Sequence, residues 1–218
     1  MKTSYHWTNH VFNFLGVILG VYLGFYMNET GRVSQENRER RILMSALVAD
    51  LASDIKTFED YQIPVNIQHK QDLDSLLNAL LSDSIAEVNR QLPVVFQLDN
   101  FAATTTTYSS MKASGKLALI EDLELQQNLT WYYEGIAQEG INKGQFQLDI
   151  FTDELLGWLA EHADLVKMEI RNKDDLVILQ NKVLIYSSAI DQKLGHYEMQ
   201  LENSKQLKAQ IDSLLSIE

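Results

Sequence analysis

The chain has 218 residues, no cysteine, only two prolines and ten glycines, and a formal net charge of −12. The lack of cysteine excludes disulfides, thiolate metal ligands and cysteine nucleophiles. The acidic balance argues against nucleic acid as a partner, because phosphate binding needs a basic surface. Scarce proline and an apolar content of 45% favour long helices around a sizeable core. We therefore predict an all-α protein.

The first element is an uncharged apolar segment, Val11–Met27, which predicts a transmembrane helix. Extended back to Trp7, it measures roughly 31 Å as a helix, close to the thickness of the hydrocarbon layer. Tyr5 and Trp7, with further aromatic residues at the other end, resemble the aromatic belts of spanning helices. A cleaved signal peptide is the alternative, but no small-residue cleavage site follows the segment. We predict a short N-terminal tail (1–10) and one uncleaved span (11–27).

Three glycines of the span, Gly16, Gly20 and Gly24, recur at intervals of four residues. Such a glycine zipper forms a flat stripe on which a second helix backbone can pack closely in lipid. Asn13 can add a hydrogen bond between helices. We predict a helix-packing interface at these four residues. The alternative is that glycines, which are common in membrane helices, fall in this phase by chance.

The charges that flank the predicted span do not decide on which side of the membrane the rest of the chain lies. Four arginines follow the span and only Lys2 precedes it, so the positive-inside rule places the large domain in the cytoplasm. Interleaved glutamates make the same arginines suitable for the surface of a helix that leaves the membrane. The arginines are Arg32, Arg38, Arg40 and Arg41.

A membrane-proximal helix is predicted over residues 28–61. An apolar stripe that includes Leu43, Leu47 and Leu51 supports it,. Pro64 is the first residue able to stop this helix, and a second helix is predicted over Asn66–Leu81.

Residues 62–172 are predicted to form a helical bundle. The stretch 93–96 is extended and able to pair as a strand, although no partner strand is evident. Gly115 is expected to cap a helix that runs through the threonines before it. Two further helices are predicted near 121–139 and 146–162. Gly140 and Gly144 either separate these two helices or mark one weakened turn.

Residues 173–218 are predicted to form one long C-terminal helix, because apolar residues recur three and four apart without proline,. At about 40 residues it measures roughly 60 Å. We expect that a small bundle cannot cover such a helix, which would then project, pair with the membrane-proximal helix or pack on another copy. The coiled-coil-like seam comprises Val183, Ile190, Leu194, Tyr197, Leu201, Ile211 and Leu215.

The layout resembles a family of uncharacterised bacterial single-pass membrane proteins, a domain of unknown function. The resemblance is specific over residues 103–133: Thr107-Tyr108, a serine pair before a lysine, Gly115-Lys116-Leu117, Glu121-Asp122 and Tyr132-Tyr133. An Asp50-Leu51 step in the preceding helix also matches. The resemblance implies a bacterial inner-membrane location and a helical domain, but no activity. Family members often carry a basic stretch before the span, which implies a periplasmic domain, but this chain lacks that stretch.

No residue pattern predicts catalysis, a cofactor or a metal. Ser109 and Lys112 match an S-x-x-K string, but the partner motifs that penicillin-binding enzymes need are missing,. The five histidines match no metal-ligand spacing. We therefore expect a protein that is not an enzyme, with small residues that pack rather than react.

The predicted function is that of a membrane-anchored scaffold or accessory subunit. Its expected partners are the lipid bilayer and either further copies of itself or other membrane-protein subunits. The alternative is a ligand-sensing bundle that signals through a partner, since helical bundles can bind small molecules between helices. An oligomeric channel is a third, less favoured interpretation, because the single span has no polar face.

Overall fold

The computed structural model describes residues 4–82 and 84–217, with side chains over 11–82 and 84–216. The described part of the chain is almost entirely helical, as predicted. The α-helices are α1 (Ser4–Thr57), α2 (Ile63–Leu81), α3 (Ile85–Gln91), α4 (Thr106–Ala113), α5 (Leu123–Trp131), α6 (Ala137–Asp149), α7 (Gly157–His162) and α8 (Leu176–Ile217).

Short π-helical segments join several of these helices without a break. Phe58–Gln62 connects α1 to α2, Tyr132–Ile136 connects α5 to α6, and Ile150–Leu156 connects α6 to α7. Two long continuous helices result, over residues 4–81 and 123–162, and α8 is the third long helix. The tail predicted at 1–10 is helical from Ser4 onward.

The prediction that the first helix ends before Pro64 is wrong. The chain stays helical through Pro64, which lies in the first turn of α2. Proline removes one backbone donor from a helix interior. The π-helical turn directly before it shifts the hydrogen-bond register, so the helix continues.

The three long helices pack side by side, with α8 antiparallel to α1 and α2. Nearer the apolar N-terminal part of α1, Met44 and Leu47 share an apolar cluster with Leu207 and Ile211 of α8. At the far end, side chains of α2 share a second cluster with the start of α8 and with residues 151–159. The C-terminal helix therefore runs back toward the apolar N-terminal part of α1.

The C-terminal helix pairs with the membrane-proximal helix, which is one of the three arrangements that we expected. The further expectation that a small bundle cannot cover it is wrong. Along the predicted seam, Val183, Ile190, Tyr197 and Ile211 are buried within this chain. Leu194, Leu201 and Leu215 are half-buried. Coverage is possible because π-helical joints lengthen the two neighbouring helices: the helix over residues 4–81 is longer than the 42-residue α8, and the helix over residues 123–162 is nearly as long. The seam therefore gives no argument of its own for a second copy.

Residues 82–122 cross the bundle as a series of short elements. The stretch that we predicted as a possible strand is a 3-10 helix, Leu92–Phe96. Residues 97–105 are non-helical and lead into α4. Gly115 follows α4 with a φ of +73°, so the predicted glycine cap is confirmed,. A two-residue antiparallel pairing of Ala163–Asp164 with Glu169–Ile170 connects α7 to α8.

Gly140 and Gly144 neither separate two helices nor weaken a turn, because both lie inside α6. Both are buried and allow α6 to approach its neighbours. A β-carbon on Gly140 would stand 2.6 Å from Oε1 of Gln200, and one on Gly144 would stand 3.0 Å from Cγ of Asn100. These two glycines therefore hold α6 close to α8 and to the segment 97–105.

One helix among the described residues is long and apolar enough to cross a membrane. Its apolar window has a mean hydropathy of 1.6 and is not buried against the rest of the chain. A β-carbon added to Gly16, Gly20 or Gly24 would meet no atom within 4 Å, and Asn13 is exposed. Tyr5, Trp7, His6 and His10 lie outside the residues with described side chains.

Candidate functional site

A layer of buried polar side chains separates the two apolar clusters. On each long helix, these polar residues lie between the apolar residues of one cluster and those of the other. Buried polar groups are uncommon and need partners, so this layer is the most unusual feature of the core. Its members are Gln62, Asn66, His69, Gln147, Lys193, His196 and Gln200.

Lys193 is at the centre of the layer and is fully buried. Its Nζ atom donates hydrogen bonds to the backbone carbonyl of Asp99 at 2.8 Å, to Oδ1 of Asn100 at 3.0 Å and to Oε1 of Gln147. These three partners are neutral oxygens. Burial lowers the pKa of Lys193 to about 8, since the charged ammonium loses hydration,.

The polar layer surrounds the irregular segment 97–105. The hydrogen-bonding needs of this segment explain why polar side chains are buried here. Backbone groups outside helices need other hydrogen-bond partners when they are buried. Tyr186 donates to the carbonyl of Gln97 at 3.0 Å, and the Oη atom of Tyr197 accepts a hydrogen bond from the backbone N–H of Phe101 at 2.8 Å. Side chains of α8 thus replace the helical hydrogen bonds that this segment lacks.

His69 is the second ionisable group of the layer. Its ring is buried edge-on to Tyr186, with ring centroids 5.8 Å apart. Burial, together with the positive charge of Lys193, lowers the pKa of His69 to about 4,. The Nε2 atom has no hydrogen-bond partner among the described residues. The histidine is therefore neutral near pH 7.

Several residues that carry the family resemblance lie together where α1 contacts α4. The Asp54 carboxylate accepts hydrogen bonds from the backbone N–H and the hydroxyl of Thr104, at 2.9 and 2.7 Å. Asp50 accepts a longer hydrogen bond from the backbone of Thr107. Burial raises the pKa of Asp54, and the two hydrogen bonds from Thr104 oppose that shift. These acidic residues tie the start of α4 to α1.

The tyrosines of the resemblance form an aromatic group beside these contacts. The rings of Tyr108 and Tyr133 are stacked, with centroids 4.5 Å apart and planes 14° apart. Tyr132 shares a hydrogen bond of 2.7 Å with Ser204 of α8. These positions bring α4, α5 and α8 together, so their observed role is packing.

The S-x-x-K string shows no arrangement suited to nucleophilic catalysis. Ser109 and Ser110 are exposed, and Lys112 forms an ion pair with Glu134. Among histidines with described side chains, His162 contacts Asp175 and His196 contacts the carbonyl of Ile136. Over residues 11–82 and 84–216, no cluster of ionisable side chains has the arrangement of a metal site.

Sequence reasoning missed the polar layer, although one signal for Lys193 was present. Lys193 lies three residues after Ile190 and four before Tyr197, both of which belong to the predicted seam. That spacing places the lysine on the buried face of the helix. Its partners lie far away in the sequence, so the spacing alone does not identify them.

The arrangement as a whole orders the segment 97–105 and locks three helices in register. Lys193, Gln147, Asn66 and His196 bond to other side chains or to the backbone, whereas the carboxamide of Gln200 and Nε2 of His69 have no hydrogen-bond partner among the described residues. Comparisons with known protein families, with curated proteins and with solved structures find no match for this chain. The family resemblance drawn from residues 103–133 therefore stays a prediction.

Proposed function

We propose that the protein is a membrane-anchored helical scaffold or accessory subunit without catalytic activity, which self-associates or joins a larger complex in the bacterial inner membrane. The observation that carries this proposal is the helix over residues 4–81. Its apolar N-terminal part packs against no other described part of the chain, and its later part lies in the core of the bundle.

The continuity of this helix favours an assembly role. A span that is continuous with the bundle core has a restricted orientation relative to the bundle. Helices that associate in lipid therefore also arrange the bundles that they carry. The apolar face around Gly20 is available for such association. The C-terminal seam is not part of the proposed interface, because the chain covers it.

The proposal is tested by measuring the native mass of the full chain in mild detergent and identifying co-purifying proteins. We expect an oligomer or a defined complex, and we expect the Gly20→Leu variant to dissociate it. Gly31→Leu is the matched control. Gly31 also lies in α1 and has no atom within 4 Å of the place where its β-carbon would stand, but it lies beyond the span. A monomer without partners, unchanged by Gly20→Leu, would contradict the proposal.

The alternative of a ligand sensor is supported by the same continuous helix, which would transmit a change in the bundle to the span. A periplasmic bundle, as the family resemblance implies, would place such a sensor outside the cytoplasm. Reporter fusions after Glu218 distinguish the two topologies. A thermal-shift screen of small molecules without any stabilising compound would count against sensing.

A further inference from the structure

Trp131 is a large aromatic side chain that the fold leaves in solvent, with 58% of its surface exposed. It is the last residue of α5 and directly precedes the π-helical turn Tyr132–Ile136. Its Cδ1 atom is 3.7 Å from the place where a β-carbon on Gly135 would stand. The indole therefore lies over Gly135, one turn further along the helix. π-Helical turns occur often at functional sites.

A groove of about 270 Å³ lies on one side of the indole, between α5 and α8. The buried ring of Tyr132 and the buried Leu207 contribute to its wall. Four carboxamides complete the lining: Asn128, Asn203, Gln206 and Gln210. Asn128 donates a hydrogen bond of 3.0 Å to Gln210, which joins the two helices across the groove.

A second groove, of about 460 Å³, lies on the other side of the same indole. Its lining is mostly apolar and includes exposed Leu123 and the indole itself, and its polar groups come from Gln126, Gln127 and Thr130. None of the described residues that line the two grooves is Asp, Glu, Lys or Arg. This is a marked contrast to the chain as a whole, in which 22% of residues are charged.

The chemistry of this surface selects among ligand classes. An anion would find no cationic side chain in the lining, and a cation would find no carboxylate. Carboxamides offer both donors and acceptors, so they suit hydroxyl groups, which also donate and accept. The weakly positive C–H groups on one face of a sugar ring pack well on the negative face of an indole.

The position of Trp131 argues against insertion into the membrane. Its neighbour Tyr133 stacks on Tyr108, and Asp50 contacts the adjacent Thr107. Asp50 lies about 35 Å along the helix from the end of the span at Met27. Through these contacts, Trp131 lies at about the same level of the bundle as Asp50. The indole is therefore well above the lipid headgroups.

We propose that the surface around Trp131, with a carboxamide-lined groove on one side of the exposed indole and a more apolar, glutamine-bearing groove on the other, binds a neutral oligosaccharide. The indole stacks on one sugar ring, and the carboxamides of the grooves hydrogen-bond the hydroxyls of the neighbouring rings. The second groove, of about 460 Å³, lies within the usual range of ligand sites, about 300 to 1,000 Å³, and the first, of about 270 Å³, is slightly smaller,.

The test uses the full chain in lipid nanodiscs, because glycoside detergents carry sugar headgroups that would compete. Maltotriose, cellotriose and triacetylchitotriose are titrated by calorimetry and by saturation-transfer NMR, with uracil as a flat, stackable compound that contains no sugar. We expect at least one trisaccharide to bind, and Trp131→Ala to weaken it about tenfold or more. Phe146→Ala is the control, because Phe146 is an exposed aromatic residue on α6, outside both grooves.

Three results would overturn the proposal: no trisaccharide binding at about 10 mM, equal binding by Trp131→Ala and the unmodified chain, or uracil binding as tightly as the trisaccharides. Circular dichroism of both variants checks that the helices are intact. The assembly role proposed above does not depend on this surface. Failure here and failure of the native-mass experiment are therefore separate results.

Discussion

The ammonium group of Lys193 donates a hydrogen bond to the backbone carbonyl of Asp99 at 2.8 Å. The two residues are 94 positions apart in the sequence. Through this contact, the middle of α8 binds the irregular segment 97–105 and replaces hydrogen bonds that a helix would have made internally. The polar layer thus has a structural explanation.

Replacement of Lys193 by methionine is expected to destabilise the protein by about 2 to 4 kcal/mol. Methionine is one heavy atom shorter than lysine, keeps a similar unbranched stem and removes the cost of burying a charge. The three oxygens that the ammonium satisfies would nevertheless lose their donor. Chemical denaturation of the full chain in detergent, followed by circular dichroism, measures the free energy of unfolding.

The matched control for this variant is Lys205→Met on the same helix. Lys205 is exposed and pairs with Glu59, so its loss should change stability by no more than about 0.5 kcal/mol,. Equal effects of the two variants would show that the buried ammonium has no special structural role.

Stability is expected to fall as the pH decreases from 6.5 to 4 because of His69. The folded pKa is about 4, below the ordinary value of 6.5, so the unfolded chain takes up a proton in this window and the folded chain does not. Protonation therefore favours unfolding, by about 3 kcal/mol at full effect. Above pH 6.5 both states hold a neutral ring, and this contribution is fully present.

The His69→Gln variant tests this assignment, since glutamine does not titrate. Unfolding free energies of the variant and the original chain are measured between pH 4 and 7.5. The difference between them should change across the window and stay constant above it. A constant difference over the whole range would show that His69 is not responsible.

Asp54 and Thr104 are expected to be energetically coupled. Asp54→Ala should cost about 2 kcal/mol, because two hydrogen bonds to a buried carboxylate are lost, and Thr104→Val should cost about 1 kcal/mol. The double variant should cost less than the sum, because the threonine hydroxyl has no acceptor once Asp54 is gone. Additive costs would contradict the observed contact. Asp60→Ala, at an exposed position in the π-helical segment that follows α1, serves as the control.

Alanine is expected to have opposite effects at two helical glycines. At Gly144, a β-carbon would press on Asn100, which is held by hydrogen bonds to Lys193 and to the carbonyl of Gly144. We expect a loss of about 1 kcal/mol there. At Gly195 a β-carbon meets no atom within 4 Å, so alanine should stabilise the helix by up to about 1 kcal/mol. Thermal melts of the two variants should therefore shift in opposite directions.

Local sequence signals predicted the elements well where a short-range physical rule operates. Gly115 ends α4 because only glycine adopts a positive φ without strain,. Pro64 shows the limit of such rules: proline is unfavourable inside a helix, but the π-helical turn at Phe58–Gln62 accommodates it,. A proline in the sequence indicates that a helix is locally disfavoured, but it does not reveal that the turn before it changes to a π-helix and lets the helix continue.

The sequence by itself determined that the chain is helical, which N-terminal segment is apolar enough for a membrane, and which face of the C-terminal helix is buried. These features depend on neighbours within a few residues, so periodicity and composition report them. Only the tertiary structure decided what covers that face and why Lys193 lies within it. The covering helices and the oxygens of Asp99, Asn100 and Gln147 come from distant parts of the chain. Periodicity shows that a face is buried, but it carries no information about the partner.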